Sequence, residues 1–196
     1  MYEKEGWTAS QFKPEKIELT KATMNGNPII LEKEELLKTN GNPIERIDSC
    51  ARMTILRNQG MAIYNCWVYD STWSMVYKIA DDTAFLSRLS FEERNIEIET
   101  PQITLSKNTR FKEVKSKFPN AYAHRNIGPN LYRIDGYDWV YLIDDSSLEE
   151  RIYPSRIELI FKGDKLKYFE YNMEPKYTQE QLNVYHKQME EEKNRN

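Results

Sequence analysis

The stretch 156–171 constrains the fold more than any other part of the chain. In its first half, Ile157, Leu159 and Phe161 recur at every second position, which is the period of a strand with one buried face. Residues 162–165 read Lys-Gly-Asp-Lys, a composition typical of a turn, and apolar and aromatic residues follow it. We therefore predict a β-hairpin, and with it an antiparallel sheet.

Aromatic and β-branched residues extend this prediction along the chain. With 13 Tyr and 4 Trp in 196 residues, the composition suits half-buried sheets, and it equally suits recognition surfaces. Turn signals separate the apolar segments, as the Asp135-Gly136 dipeptide does before residue 137. The further predicted strands are 17–20, 53–57, 61–69, 73–79, 83–91, 95–99, 103–105, 131–134 and 137–143.

Two helices are predicted between these strands. Residues 31–38 consist mostly of strong helix formers, and Gly41 follows where a left-handed C-cap is expected. Residues 111–118 place apolar side chains at helical spacing, with Thr109 as the candidate N-cap and Pro119 as the stop. The order strand, helix and aromatic strands thus occurs twice in the chain.

The repeated order predicts an α+β fold of two tandem helix-plus-antiparallel-sheet units, with the helices packed on one face of the sheet. A final helix is predicted after Thr178, which forms a capping-box pattern with Gln181. The predicted parts are an N-terminal arm at 1–16, a first unit at 17–100, a second unit at 101–175 and a C-terminal helix and tail at 176–196.

The repeat resembles that of the SmpA/OmlA lipoproteins and of the beta-lactamase inhibitor proteins. The matching motifs are Gly41-Asn42-Pro43, Tyr64-x-x-Trp67-x-Tyr69, Tyr137-x-Trp139-x-Tyr141 and Phe161-Lys162-Gly163. The resemblance implies that helices cover one face of an antiparallel sheet while the opposite, open face carries the aromatic residues. It also implies an extracytoplasmic, non-catalytic binding role.

No catalytic, metal or nucleotide motif stands out, and we predict no cofactor. His124 and His186 lie at no metal-ligand spacing, and the 7 glycines form no phosphate-binding loop. Acidic pairs occur at 81–82, 144–145 and 149–150. A pair of carboxylates flanking a groove is the requirement for glycoside hydrolysis, but adjacent acids do not establish that geometry. We expect Asp144 and Asp145 to belong to a solvated turn.

The location of the protein stays open at this point. The N-terminal residues lack the basic and apolar regions of a signal peptide, so the chain is either cytoplasmic or begins after a removed signal. Cys50 and Cys66 form one disulfide in an oxidising compartment or remain two buried thiols. A net charge of -3 argues against a nucleic-acid partner, and no apolar run reaches the length of a membrane span.

The alternating aromatic residues at 137–141 are the candidate for recognition. On a strand, Tyr137, Trp139 and Tyr141 point to one side and their neighbours to the other. Either these rings pack in the core beneath the helices, or they form an open docking surface. The predicted binding residues are Trp67, Tyr69, Trp73, Tyr137, Trp139 and Tyr141.

The leading functional hypothesis is a non-catalytic module that binds another protein, as an inhibitor or immunity protein does. Given the acidic composition, we expect an acidic, aromatic face that steers towards a basic partner. The alternatives are a structural cell-envelope lipoprotein ectodomain and a hydrolase whose two acids are distant in sequence.

Overall fold

The computed structural model describes residues 15–54, 61–92, 94–123, 136–144, 155–173, 177–184 and 187, without the side chains of 51–54 and 61–62. It contains short helices and antiparallel strands, so the fold is α+β and rich in β-structure. The helices are α1 (Lys33–Asn40), α2 (Phe111–Lys117) and α3 (Pro119–Ala123). The strands are β1 (Thr23–Met24), β2 (Asn27–Pro28), β3 (Ile30–Glu32), β4 (Glu45–Thr54), β5 (Met61–Val68), β6 (Met75–Ala80), β7 (Thr83–Ser90), β8 (Glu97–Glu99), β9 (Thr104–Ser106), β10 (Tyr137–Asp144), β11 (Ser155–Lys162) and β12 (Lys165–Asn172).

The strands form one large and one small sheet. The large sheet has the order β10-β11-β12-β7-β6-β5-β4, with β3 also paired to β7. The small sheet has the order β2-β1-β8-β9. Every pair between these named strands is antiparallel. The two halves of the chain therefore share one continuous sheet, joined where β12 meets β7.

Strand β7 lies at the centre of the large sheet. One of its edges pairs with β6, and the other is shared by two strands. Its beginning pairs with β3, where Phe85 faces Ile30 across the ladder. Its end pairs with β12, where Leu89 faces Phe169. This division of one edge allows strands from both halves of the chain to meet on β7.

The main core lies between the large sheet, the helices and the small sheet. Leu36 of α1, Val114 of α2 and Leu105 of β9 belong to the same buried cluster as the sheet residues Leu159 and Phe169. All five side chains are fully buried. Burial of this apolar surface stabilises the fold and holds the strands of both halves in register.

Several predicted elements are confirmed. The hairpin at 156–171 is the β11–β12 pair, and the helix at 111–118 is α2. Thr178 and Gln181 exchange the two hydrogen bonds of a capping box, at 2.8 and 3.3 Å. The predicted strands at 73–79 and 83–91 correspond to β6 and β7.

Other boundaries differ from the prediction for local reasons. Residues 31 and 32 belong to β3 and not to α1, because pairing with β7 takes precedence over their helix propensity. Arg110 and not Thr109 is the N-cap of α2, while the Thr109 hydroxyl donates to the backbone oxygen of Thr104 (3.2 Å). Pro119 begins α3, as proline can at a first helical position, although we predicted only a stop.

Two predictions in the first half of the chain are wrong. Residues 17–20 form no strand, although Ile17 and Leu19 are buried in the main core. Strand β4 begins at Glu45, in a segment where we predicted no strand before residue 53. Most of its described side chains are exposed, so the sequence lacks the apolar alternation by which a strand is recognised.

The cysteines form a disulfide between β4 and β5. Cys50 lies in the bulged segment of β4, where the register with β5 is interrupted between Ile47 and Ala51. Of the two alternatives left open by the sequence, the bridge is therefore the one observed. It fixes a strand that has β5 as its ladder partner within the described part of the chain.

Among the described residues, no helix is both long and apolar enough to cross a membrane. Some predictions concern residues outside the described ranges and stay predictions. These are most of the arm at 1–16, the strand at 131–134, the acids at 145 and 149–150, His124, His186 and the end of the C-terminal tail.

Candidate functional site

One face of the strands β10–β12 carries a set of large rings, which we call the aromatic face. Register places Trp139 beside Ile160, and Ile160 beside Tyr168. Because side chains alternate along a strand, these residues lie on the side opposite Val140 and Leu159, which belong to the main core. The aromatic face consists of Tyr137, Trp139, Tyr141, Ile160 and Tyr168.

The aromatic face changes from buried to exposed along its length. Trp139 and Tyr141 are each only 6% exposed, and Ile160 is 7% exposed. Tyr137 and Tyr168 are half-buried, with ring centroids 6.3 Å apart. The sequence left open whether these rings belong to the core or to a docking surface. Within the described part of the chain, each alternative holds at one end of the cluster: Trp139 and Tyr141 are buried, whereas Tyr137 and Tyr168 are available for contact.

Two cations lie over the half-buried rings. The Arg88 guanidinium is 5.6 Å from the centroid of the Tyr168 ring, and the Lys162 ammonium is 5.4 Å from that of Tyr137. Arg88 also lies 3.6 Å from a carboxylate oxygen of Glu170. These distances are within the range of cation–π attraction, so the cations are held close to the rings.

The rim beside Tyr168 contains a hydrogen-bonded carboxylate. The Tyr168 hydroxyl donates to Glu92 Oε2 (3.3 Å), and Lys167 Nζ lies 2.6 Å from Glu92 Oε1. The Lys167 hydrogen bond holds the pKa of Glu92 below its ordinary value, against the opposing effect of burial. Burial, followed by the charge of Glu92, raises the pKa of Tyr168. Tyr168 is therefore a neutral donor at neutral pH.

Residues 70–74 form a rigid connection between β5 and β6, which we call the Trp73 loop. The Asp70 carboxylate accepts five hydrogen bonds, two each from Thr72 and Ser74 and one from Arg94. Burial alone would raise the pKa of Asp70, but these hydrogen bonds and the Arg94 charge hold it below its ordinary value. The loop presents Trp73, which is 42% exposed and has a φ of +56°.

The Trp73 loop and the exposed end of the aromatic face lie at the same end of the sheet. Ser90 connects them, because its backbone N–H donates to the Ser74 carbonyl (2.6 Å) and it pairs with Tyr168 in the β7–β12 ladder. The candidate site therefore consists of the Trp73 loop together with Tyr137, Tyr168 and their cations.

The other predicted binding residues of the first half are placed differently. Trp67 is 8% exposed in the main core, with the Arg46 guanidinium 4.8 Å from its ring centroid. Tyr69 is half-buried and donates to the Gly41 carbonyl (3.3 Å). Burial raises the pKa of Tyr69 to about 12, against a smaller lowering by Arg46. Both rings therefore support the fold, and neither adjoins the aromatic face.

Sequence reasoning missed Tyr168, Arg88 and Lys162 as site residues. Each belongs to the site only through strand pairing, which brings β7, β10, β11 and β12 together. The alternation of β12 around Tyr168 was the one available signal. It became informative only once the partner of β12 was known.

The predicted acidic character of this face is wrong for the described residues. Register places two carboxylates on it, Glu158 and Glu170, and the hydrogen bond from Tyr168 adds Glu92 at its rim. The basic side chains on the same face are more numerous, namely Lys78 (through its bond to Asn172), Arg88, Arg156 and Lys162. Burial lowers the pKa of Lys78, while the charge of Glu170 opposes this effect. The charge of the face is thus opposite in sign to that of the whole chain.

Asp144 does not belong to a solvated turn, so that prediction is also wrong. It is the last residue of β10 and is only 2% exposed. Its carboxylate accepts a hydrogen bond from the hydroxyl of Tyr171 at 3.1 Å. A buried carboxylate needs such donors, because an unsatisfied charge in the interior is costly.

Removing the Tyr171 hydroxyl tests this buried contact. We expect Tyr171→Phe to lower the free energy of unfolding by about 1–3 kcal/mol, because the substitution takes a donor from a buried carboxylate. Tyr168→Phe, on the same strand, removes a hydrogen bond at the surface and should cost less than about 0.5 kcal/mol. Urea denaturation measures both variants. Equal midpoints for the two would contradict a structural role for the Asp144 contact.

No arrangement for metal binding occurs in the part of the chain that the structure describes. In the acidic pair at 81–82, Asp82 forms a surface ion pair with Lys33 at 3.1 Å. Residues 81 and 82 lie in the β6–β7 turn, at the far end of β7 from Tyr168.

No protein-family model, curated protein or solved structure matches the chain. Its function must therefore be inferred from the geometry of the site itself.

Proposed function

We propose that the chain is a non-catalytic protein-binding module that neutralises a partner enzyme, as inhibitors and immunity proteins do. The observation that carries this proposal is the exposed Trp73 side chain on a loop fixed by the Asp70 carboxylate. A tryptophan in a rigid loop is a suitable anchor, because little conformational freedom is lost when it enters a pocket of a partner.

The rings at the same end of the sheet as Trp73 support the same function. Tyr137 and Tyr168 offer partly exposed apolar surface, and Arg88 and Lys162 lie over them. Tyr, Trp and Arg are the residue types that contribute most to binding energy at protein interfaces. A positive φ at a non-glycine residue such as Trp73 is a cost that the surrounding structure must offset, and such positions concentrate at functional sites.

The tandem-unit architecture belongs to the same proposal. We propose that 17–100 and 101–175 are two related units of the kind found in the SmpA/OmlA lipoproteins and beta-lactamase inhibitor proteins. The sheet order supports this, because β7 of the first unit and β12 of the second pair with each other at the centre of the large sheet. A continuous sheet built in this way offers one extended surface for a partner.

The disulfide supports a location outside the cytoplasm, where such bridges form and persist. We therefore propose the periplasm or cell envelope as the site of action. The same observation favours the second candidate function, a structural cell-envelope lipoprotein ectodomain. The two candidate functions make different predictions for Trp73. A protein-binding module should lose its partner when Trp73 is removed, whereas a structural ectodomain should not depend on this side chain.

Replacement of Trp73 tests the proposal. The wild-type protein, Trp73→Ala and Ile63→Ala are used as baits on extract from the source cells, and captured proteins are identified by mass spectrometry. Ile63 is a matched control because it is also an exposed apolar side chain, at 52% exposure. We expect a partner that is retained by Ile63→Ala and lost with Trp73→Ala.

The purified partner should then bind Trp73→Ala at least about 30-fold more weakly than the wild type, which is the effect of removing an interface anchor of about 2 kcal/mol. Calorimetry measures the affinity, and inhibition of the partner's activity tests neutralisation. Equal capture of every protein by all three baits would contradict a site centred on Trp73 and favour the structural role.

A further inference from the structure

The pentapeptide Asn-Gly-Asn-Pro-Ile occurs twice in the chain, at 25–29 and at 40–44. The first copy forms the β1–β2 turn, and the second connects the end of α1 to β4. Asparagine loses ammonia most readily when glycine follows it, because a glycine leaves its own backbone nitrogen accessible to the preceding side chain. Since the two copies have the same sequence, a difference in their reactivity comes chiefly from the fold.

In the first copy, the reacting groups of Asn25 and Gly26 are exposed. Their φ values of 50° and 83° are those of the type I′ turn that joins two strands of a hairpin. Among the described residues, the Gly26 backbone N–H has no hydrogen-bond acceptor. The Asn25 side-chain oxygen accepts a hydrogen bond from the Glu97 backbone N–H at 3.3 Å. This donor stabilises the negative charge that develops on the oxygen when a nucleophile attacks the side-chain carbonyl carbon.

In the second copy, the corresponding nitrogen is already engaged. Asn40 is half-buried and is the last residue of α1, and the Gly41 backbone N–H donates to the Leu37 carbonyl at 3.0 Å. The Gly41 nitrogen must lose this hydrogen bond before it can attack the Asn40 side chain. The fold therefore leaves the nucleophile accessible in the first copy and restrains it in the second.

We propose that Asn25 is a site of spontaneous covalent modification in the folded protein and that Asn40 is protected. The Gly26 nitrogen loses its proton and bonds to Cγ of Asn25, and ammonia leaves from the same carbon, which gives a cyclic imide. Water then opens the imide at either carbonyl carbon, to an aspartate or to an isoaspartate. The reaction consumes water, releases ammonia and needs no oxidant or cofactor. It does not depend on the proposed binding function.

Modification of Asn25 acts on the small sheet. Both products place a new carboxylate beside β8, where Glu97 and Glu99 are exposed. Isoaspartate also lengthens the main chain of the turn by a methylene group, which disturbs the pairing of Met24 with Asn27. Like charges and a disturbed register both weaken the pairing of β1 with its neighbours in this sheet.

Parallel incubations of the full chain test the proposal, one of the folded protein and one in a denaturing concentration of urea, both under mildly alkaline conditions. Trypsin then places the two copies on separate peptides, 22–33 and 39–46. Mass spectrometry measures the conversion of amide to acid in each peptide. Asn27 and Asn42 do not interfere, because the proline that follows each of them has no N–H.

In the folded protein, we expect Asn25 to convert at least about fivefold faster than Asn40, the factor that corresponds to breaking one backbone hydrogen bond. In urea, we expect the two rates to be nearly equal, because only the shared sequence then acts. Asn25→Gln should abolish the conversion of peptide 22–33, because glutamine forms the corresponding imide far more slowly.

Three results would overturn the proposal. The first is an equal rate at both sites in the folded protein, or a faster rate at Asn40. The second is the same difference between the sites in urea, which would show that the flanking residues and not the fold determine it. The third is conversion of both sites in urea and of neither in the folded protein, which would show that the fold protects both copies.

Discussion

Trp139→Ala is expected to lower the free energy of unfolding by about 3–5 kcal/mol, the range found when a large buried aromatic side chain is removed. Trp139 is 6% exposed and packs with Tyr141 and Ile160 in a cluster separate from the main core. The surrounding residues are held by the β10–β11 ladder, so they cannot collapse fully into the cavity. Chemical denaturation monitored by circular dichroism measures the change.

Trp73→Ala provides the control for this prediction, because it removes the same side chain from an exposed position. We expect Trp73→Ala to change the free energy of unfolding by less than about 0.5 kcal/mol, although it is the variant that should lose partner binding. A Trp139→Ala protein as stable as the wild type would contradict the buried position of this ring. The two tryptophans thus separate the contribution of the aromatic face to stability from the contribution of the Trp73 loop to recognition.

The strongest sequence patterns predicted their elements correctly. Residues 156–171 combine a period-two apolar pattern with a Gly-containing turn, and both features are local properties of the chain. The helix at 111–118 was similarly determined by local spacing. In each case the physical cause of the structure lies within about a dozen neighbouring residues, so one sequence suffices to identify it.

Strand β4 could not be predicted because its stability comes from elsewhere. Arg46 and Asp48 are exposed, as charged residues on edge strands commonly are, and they give no apolar alternation. The strand is held by its ladder with β5 and by the Cys50–Cys66 bridge. Both are contacts with a neighbouring strand, and no local pattern reveals them.

The sequence predicted only part of the site, because the burial of a side chain also depends on contacts with neighbouring strands. Alternation placed Tyr137, Trp139 and Tyr141 on one side of their strand, and the register agrees with this. Alternation does not determine how deeply each ring is buried, because Val140 on the opposite side is buried as well. Asp144 illustrates the same limit, since a polar residue at a strand end is read as exposed until a buried donor such as Tyr171 is known.

Removal of the disulfide is the second change that we expect to lower stability strongly. We expect the double variant Cys50→Ala/Cys66→Ala to lose about 3 kcal/mol of unfolding free energy, because the bridge links residues separated by 16 positions and restricts the unfolded chain. Denaturation of the wild type in dithiothreitol should give a similar loss, and dithiothreitol should not change the double variant. Hydrogen exchange should show faster opening of β4, which depends on the bridge at its interrupted register, while β10–β12 keep their protection. Loss of protection in β10–β12 to the same extent would contradict a local role for the bridge and show that the whole sheet opens as one unit.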